Sequence, residues 1–404
     1  MERRAQDAPL DPALAVSKLL ARLGLFLLVV FAPFLAMISR RGVAIIIPIA
    51  TVLLIIAAGL DGRLGAALRR FGRLIAAPHS IAVLLLIAWA AVSILWTPLP
   101  GTAAGRLPSV LLTYLLFVAA TACVKDLVRL SDVNLIPIGV SLAALALAFE
   151  FLPQSPINRL IDLDMDATES QRAAMLLALL VWPAVGSLLW KNRMWQALVL
   201  GTVTILALWL VRNLVVFSAF IAGTLAFLLA MWRPRLAPLA IGGASLIMLA
   251  FAPLAGWLMA RYGGFLLPRE GDALVGVWRD VTYALPSHLL AGFGFDASSA
   301  LARGVNGELL SSPRNAALQI WLEFGLVGVV LASAAIGLTY LATTRVVEKH
   351  RPAVLAVFAS ASVMMYSGLA AWQTWWLTTL GLTSISLTFV SRLAARSTSY
   401  AHEP

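Results

Sequence analysis

Apolar runs of about 17–22 residues recur along the whole chain, and each is long enough to cross a hydrocarbon core about 30 Å thick. Twelve are legible, at about 23–38, 43–60, 80–96, 108–124, 135–152, 173–190, 196–211, 214–232, 237–259, 316–341, 353–371 and 373–390. Segments of this kind in lipid have to satisfy their own backbone groups, which dictates helices. The 404 residues are 61% hydrophobic and 12% charged, far from the make-up of a soluble domain. The fold class expected is an all-α polytopic membrane protein, one membrane domain over residues 1–404 with about 12 transmembrane helices.

A formal charge of +11 would suit nucleic acid if the basic residues were massed on one patch. They are instead distributed between spans. With both termini inside, the inner loops hold Arg63, Arg69, Arg70 and Arg73, then Lys125 and Arg129, Lys191 and Arg193, Arg233 and Arg235, and Arg345, Lys349 and Arg351. The tail adds Arg392 and Arg396. That is a positive-inside pattern, so no nucleic-acid partner is expected. Arg40 and Arg41 fall on the wrong side of it. Residues 61–79 read as a basic amphipathic stretch lying on the inner leaflet. The only cysteine, Cys123, sits within a span, so no intramolecular disulfide forms. The N-terminal tail has no small-residue cleavage site ahead of the first span, and no removable signal peptide is expected.

Two outer loops stand out. The smaller, 153–172, carries Arg159, Asp162, Asp164, Asp166, Glu169 and Arg172; the larger, 260–315, carries Arg261, Arg269, Arg279, His288, Asp296, Arg303, Glu308 and Arg314. A loop as long as the second is usually functional. Within it, Leu274–Tyr283 predicts a short amphipathic helix with Val275, Trp278 and Thr282 on one side and Arg279 and Asp280 on the other. The Gly292-Phe293-Gly294-Phe295 turn then redirects the chain.

Where this loop re-enters the apolar region, Arg314, Asn315, Gln319 and Glu323 gather at a helix mouth, a costly place for polar groups without a task. Ser312 reads as the N-cap and Pro313 as the first-turn residue. Asn315, Gln319 and Glu323 then share one face at i, i+4 and i+8. Arg314 stands at the positive end of the helix dipole, suited to an anion. Arg212, in the tight turn Val211-Arg212-Asn213, lies on the same side; its plain alternative is a snorkelling arginine at the interface. Two guanidiniums grip a diphosphate bidentately as lysines do not. Arginine cannot serve as a general base, so a base has to come from His288, alone among the histidines on the outer face, or from Glu323, Asp296, Asp280 or Glu308. Glu323 reads equally well as half of a structural ion pair. No zinc-ligand spacing, phosphate-binding loop or paired acidic motif occurs, so no metal or cofactor is implied.

These residues resemble the O-antigen ligase and polymerase superfamily of bacterial membrane glycosyltransferases, over about residues 170–390. The family signature is a long outer loop with an arginine, a Pro-x-x-Gly-x-Gly-like turn, and a His-Asn-x9-Gly-x-x-Gly helix entry. Here the loop offers Arg269, then Pro286 with Gly292-Phe293-Gly294, then Arg314-Asn315-x9-Gly325-x-x-Gly328. The departure is Arg314, where the ligases carry a histidine thought to activate the acceptor hydroxyl. The polymerase branch is described by Arg-x10-Gly elements in two outer loops, matched by Arg212-x10-Gly223 and Arg314-x10-Gly325.

The resemblance implies a GT-C-like architecture with a large late periplasmic loop in the bacterial inner membrane. It implies metal-independent, inverting transfer of a glycan from a polyprenyl diphosphate carrier to a sugar or lipid-linked acceptor, with membrane lipids and, optionally, a chain-length regulator as partners. Polymerase is favoured over ligase; a lipid-linked glycan transporter is the rival from another class. In this reading Arg212, Arg314, Arg269 and Arg279 bind the diphosphate, and Asn315 and Gln319 orient the acceptor. Glu323 or His288 acts as base beside Arg314, and Gly325 and Gly328 permit close helix packing.

Overall fold

The computed structural model describes residues 12–38, 40–127, 132–151, 167–266, 272–301 and 314–400. Among them every element is helical. The first helices are α1 (Pro12–Phe26), α2 (Ala32–Ile38), α3 (Arg40–Leu60), α4 (Leu64–Ile75), α5 (Pro78–Ser93) and α6 (Pro100–Leu127). Next come α7 (Leu135–Glu150), α8 (Ala167–Trp190), α9 (Met194–Leu210), α10 (Leu214–Trp232), α11 (Ala237–Ala250) and α12 (Ala252–Leu266). The rest are α13 (Asp272–Ala284), α14 (Ser298–Leu301), α15 (Ala316–Thr343), α16 (Arg351–Ser367) and α17 (Thr374–Tyr400).

Each of the twelve apolar runs is largely helical, although 237–259 is divided between α11 and α12 and 23–38 between α1 and α2. By length and composition, five described helices can cross a membrane alone, or seven if two bent pairs each count as one span. The bends are 68° between α4 and α5 and 62° between α11 and the start of α12. Apolar side chains on the outside of the bundle stay uncovered, among them Leu225 at 62%, Ile247 at 60% and Leu206 at 55% exposure. A surface of that character is stable against lipid and not against water. The chain is a helical membrane protein. The stretch read as basic and amphipathic contains α4, which buries only Ala67 and lies across the end of α6 with the Arg70 guanidinium donating to Ala122 O.

Two apolar cores organise the bundle. The larger joins α1–α3 with α6–α10, α16 and α17, around Leu54, Ile136, Leu179, Leu208, Trp376 and Phe389. The smaller joins α5 and α6 to α11–α13 and α15 through Leu249, Phe295, Leu318 and Phe324. In α13 the stripe packed into it is Val277, Val281 and, just beyond the helix end, Leu285, with Arg279 and Asp280 exposed. The helix is thus present with Arg279 and Asp280 on its exposed side as expected, and half-buried Trp278 packs against the same core beside the deeper Val277, Val281 and Leu285.

At one end Arg351 is buried and donates to Pro234 O, Thr344 O and Val346 O, locking two turns together. Beside it His350 stacks on Trp190 at 4.9 Å, Lys349 lies over the same ring, and Lys191 donates to Asn134. Lys191, Lys349 and Arg351, three of the residues read as inner-loop, meet here. Burial, with the Lys349 charge adding to it, pushes His350 down to about 4 from 6.5, so it is neutral in the fold. The unfolded chain takes up that proton first; stability is therefore full above pH 6.5 and falls as pH drops toward 4. By pH 5 the loss is about 2 kcal/mol. His350→Phe should flatten that acid slope in detergent thermal melts, since neither ring nitrogen has a hydrogen-bond partner among the described residues. An unchanged slope would show that other groups set the acid sensitivity.

Candidate functional site

At the opposite end, α15 starts on Asn315, not on Ser312. The Asn315 side chain accepts from the N–H groups of Ala317 and Leu318, and Arg314 stands outside the helix in the left-handed region at φ 45°. Ser312 and Pro313 lie outside the described residues. The α10 entry is built the same way. Arg212 is left-handed at φ 53°, and the Asn213 side chain caps by accepting from Val216 N–H. Non-glycine residues rarely hold this conformation, and here it recurs on an arginine followed by a capping asparagine. The entries share one end of the bundle: Gly368, after α16, abuts Val215, and Ala371 N–H donates to Gln319 Oε1. Capping occupies the side-chain oxygen of Asn315, a residue that the sequence reading assigned to acceptor orientation.

One turn further in, Gln319 and Glu323 are buried at 1% and 0% exposure. Glu323 Oε1 accepts from Ser298 Oγ at 2.6 Å and Gln319 Nε2 at 2.9 Å, and Oε2 accepts from Trp372 Nε1 at 2.7 Å. Gln319 Nε2 also reaches Ser298 Oγ. Each of these buried polar groups is satisfied by protein. Glu323 and Gln319 therefore tie α14, α15 and the segment before α17 together. The sequence reading gave Gln319 to acceptor orientation and expected Glu323 to be partly buried; the structure buries both completely, with their polar atoms bonded within the protein. The structural partner it foresaw for Glu323 was an arginine; the structure provides two neutral donors and an indole.

Immediately beyond Glu323 the helix breaks. Gly325 sits at φ 58° and ψ −154°, outside any helical region. The backbone groups released are taken up by the Leu289–Gly294 turn. Phe293 N–H and Gly294 N–H donate to Leu322 O and Glu323 O, while Leu326 N–H and Val327 N–H donate to Leu289 O and Leu290 O. Trp89 Nε1 adds a bond to Phe324 O. Irregular backbone at such a place survives only because protein satisfies it. Gly325 is thus a break point packed on loop backbone, and Gly328 makes room for Phe324 of its own helix. The close packing of neighbouring helices expected for this pair is not what they provide.

The same turn carries a residue pair that sequence spacing does not connect. Asp296 is fully buried, left-handed at φ 64°, and ion-paired with Arg106 near the start of α6. Its Oδ1 also accepts from Ser299 Oγ at 2.7 Å, while Oδ2 is buried with no partner among the described residues. Ser93 and Thr97 fix the turn from the α5 side, Ser93 Oγ accepting from Phe295 N–H and Thr97 Oγ1 donating to Phe295 O. A single loop, Phe295 to Ser299, thus supplies ligands to both Arg106 and Glu323.

The remaining expected residues stand apart from this cluster. His288 is exposed, its ring 4.2 Å from Phe293 and its Nδ1 3.1 Å from Ser287 Oγ. Arg279 is exposed and pairs with Asp280 at 3.5 Å. Arg212 and Arg314 present exposed side chains at their turns. Arg269 and Glu308 lie outside the described residues, as does most of the 153–172 loop. Arg106, Ser298 and Trp372 were missed from the sequence; an arginine at the outer edge of an apolar run, like Arg212, was the signal available for Arg106. Compared with protein-family models and with curated proteins, the chain has no significant match to either.

Proposed function

We propose that the protein is a membrane glycosyltransferase of O-antigen polymerase type, working at the end of the bundle that carries Arg106, Arg212 and Arg314. The observation that carries this reading is the shared build of the two Arg-x10-Gly elements: each puts a left-handed arginine and a capping asparagine at a helix N-terminus. Guanidiniums beside helix N-termini suit a diphosphate. In the proposed reaction an acceptor sugar hydroxyl attacks C1 of the carrier-linked glycan with inversion. The bond from C1 to the diphosphate oxygen breaks, and the polyprenyl diphosphate leaves with its charge held by arginine. The hydroxyl proton passes to a base; Asp296 is as fully buried as Glu323 but keeps one oxygen without a partner among the described residues, and it takes that role once Arg106 turns to the diphosphate. Twelve spans, cytoplasmic termini and a periplasmic active site in a bacterial inner membrane complete the proposal.

The test is surface polysaccharide from a deletion strain, run beside wild type and strains carrying Arg212→Ala or Arg314→Ala. Loss of the ladder to single repeats on the normal acceptor is the expected result. Long polymer stranded on the carrier lipid would instead make the protein a ligase. Unchanged length and amount in both arginine variants would remove them from the site.

A further inference from the structure

A groove of about 720 Å³ opens between α7 and α9 on the outside of the bundle, over a floor of buried Leu188 and Leu200. Its rims are exposed apolar side chains, Ile138, Leu142 and Leu145 on one helix and Val199 on the other. It begins at Asn134 and Arg193, and its furthest lining residues are Leu145 and Val203. Along α9 that is about 15 Å of helix rise, half of a hydrocarbon core about 30 Å thick and so the depth of one leaflet. Trp195 lines the mouth with 76% of its surface exposed, the place an indole takes at head-group level.

The mouth is cationic. After α8 the chain turns on Asn192, left-handed at φ 56°, and the N–H groups of Asn192 and Arg193 donate to Leu189 O and Leu188 O. That closure sets Lys191 and Arg193 on either side of one residue. Lys191 donates to Asn134, itself a lining residue, while Arg193 lines the groove directly and reaches Gln196 Oε1 at 3.4 Å. Among the described residues neither cation pairs with a carboxylate. Burial, with the Arg193 charge adding to it, lowers Lys191 from the ordinary ammonium value, so an anion between the two relieves their repulsion.

We infer that this groove seats an anionic phospholipid, with one acyl chain between α7 and α9 and its phosphate between Lys191 and Arg193. Arg193 forks onto phosphate oxygens and Lys191 adds a point charge. Basic pockets between membrane helices hold anionic head groups in this way. A choline head would bring a third cation beside these two, which disfavours a zwitterionic lipid. The depth fits an acyl chain, which ends near the bilayer midplane. Nothing in this seat depends on glycan transfer.

The experiment uses the full-length protein in phosphatidylcholine nanodiscs doped with phosphatidylglycerol that carries a photoreactive acyl chain, and labelled peptides are mapped by mass spectrometry. Labels on α7 and α9, displaced by added phosphatidylglycerol and not by added phosphatidylcholine, are the expected result. Lys191→Gln with Arg193→Gln removes both charges, keeps a donor for Asn134, and should cut that labelling about tenfold at an unchanged melting temperature. Arg69→Gln with Arg73→Gln removes the same charge from exposed side chains of α4 and should leave the labelling as it was. Val199→Trp, which fills the groove from its exposed rim, should displace the label. Labels on other helices, displacement by phosphatidylcholine, or an equal loss in the α4 pair would overturn the inference. Chemical cross-links joining α7 or α9 of two copies in the same nanodiscs, with no lipid label there, would give the groove to a second copy and overturn it too.

Discussion

Arg106→Ala should abolish polymer and lower folding stability by about 3 kcal/mol, the low end for breaking a buried ion pair. The low end applies because Arg106 keeps 44% of its side chain in contact with the surroundings while Asp296 has 1%. Without the guanidinium, the Asp296 carboxylate keeps only the Ser299 hydroxyl on Oδ1 and nothing among the described residues on Oδ2. Stability and function separate in a second variant. Arg106→Gln with Asp296→Asn removes both charges, and asparagine tolerates the left-handed backbone that residue 296 adopts. The double variant should regain most of the melting temperature and still make no polymer. Recovery of polymer along with stability would mean that the pair is only a structural tie.

Gly325→Ala should cost at least about 3 kcal/mol and inactivate the protein, because φ 58° with ψ −154° is a glycine conformation. An added Cβ would also lie 2.6 Å from Leu289 O and from Leu290 C. Relieving that contact means moving the Leu289–Gly294 turn, and with it the bonds that turn makes to Leu322, Glu323, Leu326 and Val327. Asp296 follows two residues later, so the Arg106 pair shifts too. Gly337→Ala on the same helix is the control. Its nearest neighbour, Leu246 Cδ1, would be 3.8 Å from the new Cβ, and that variant should be neutral or gain up to about 1 kcal/mol. Detergent melting of the two proteins checks the contrast; equal melting temperatures would remove the strain argument.

The helices were legible from the chain because a lipid-facing backbone leaves few other options, and each apolar run became helix. The polar helix mouth was legible as well: Gln319 and Glu323 do share a face and a hydrogen bond. Its internal wiring was not. Ser312-Pro313 and Asn315 are both good start signals, and only the fold decides that Asn315 caps. Gly325 fits a continuous helix by spacing, and the break depends on backbone from a turn more than thirty residues earlier. Arg106 and Asp296 stand 190 residues apart and Trp372 is 49 from Glu323, separations at which periodicity carries no information. Helix length alone supports five crossings, or seven with the bent pairs, because Ile45–Leu60 in α3 and all of α7, α9 and α16 are apolar but short.

The central claim is that the arginine-bearing end transfers glycan from a carrier lipid. The most direct measurement supplies the purified full-length protein in nanodiscs with the polyprenyl diphosphate-linked repeat unit extracted from the deletion strain. Released polyprenyl diphosphate and lipid-linked oligomers are then counted. The account predicts a ladder of oligomers, one carrier released per linkage formed, and neither product from the Arg106→Gln, Asp296→Asn double variant. An intact single-repeat donor with no released carrier, from protein that melts as wild type, would contradict it.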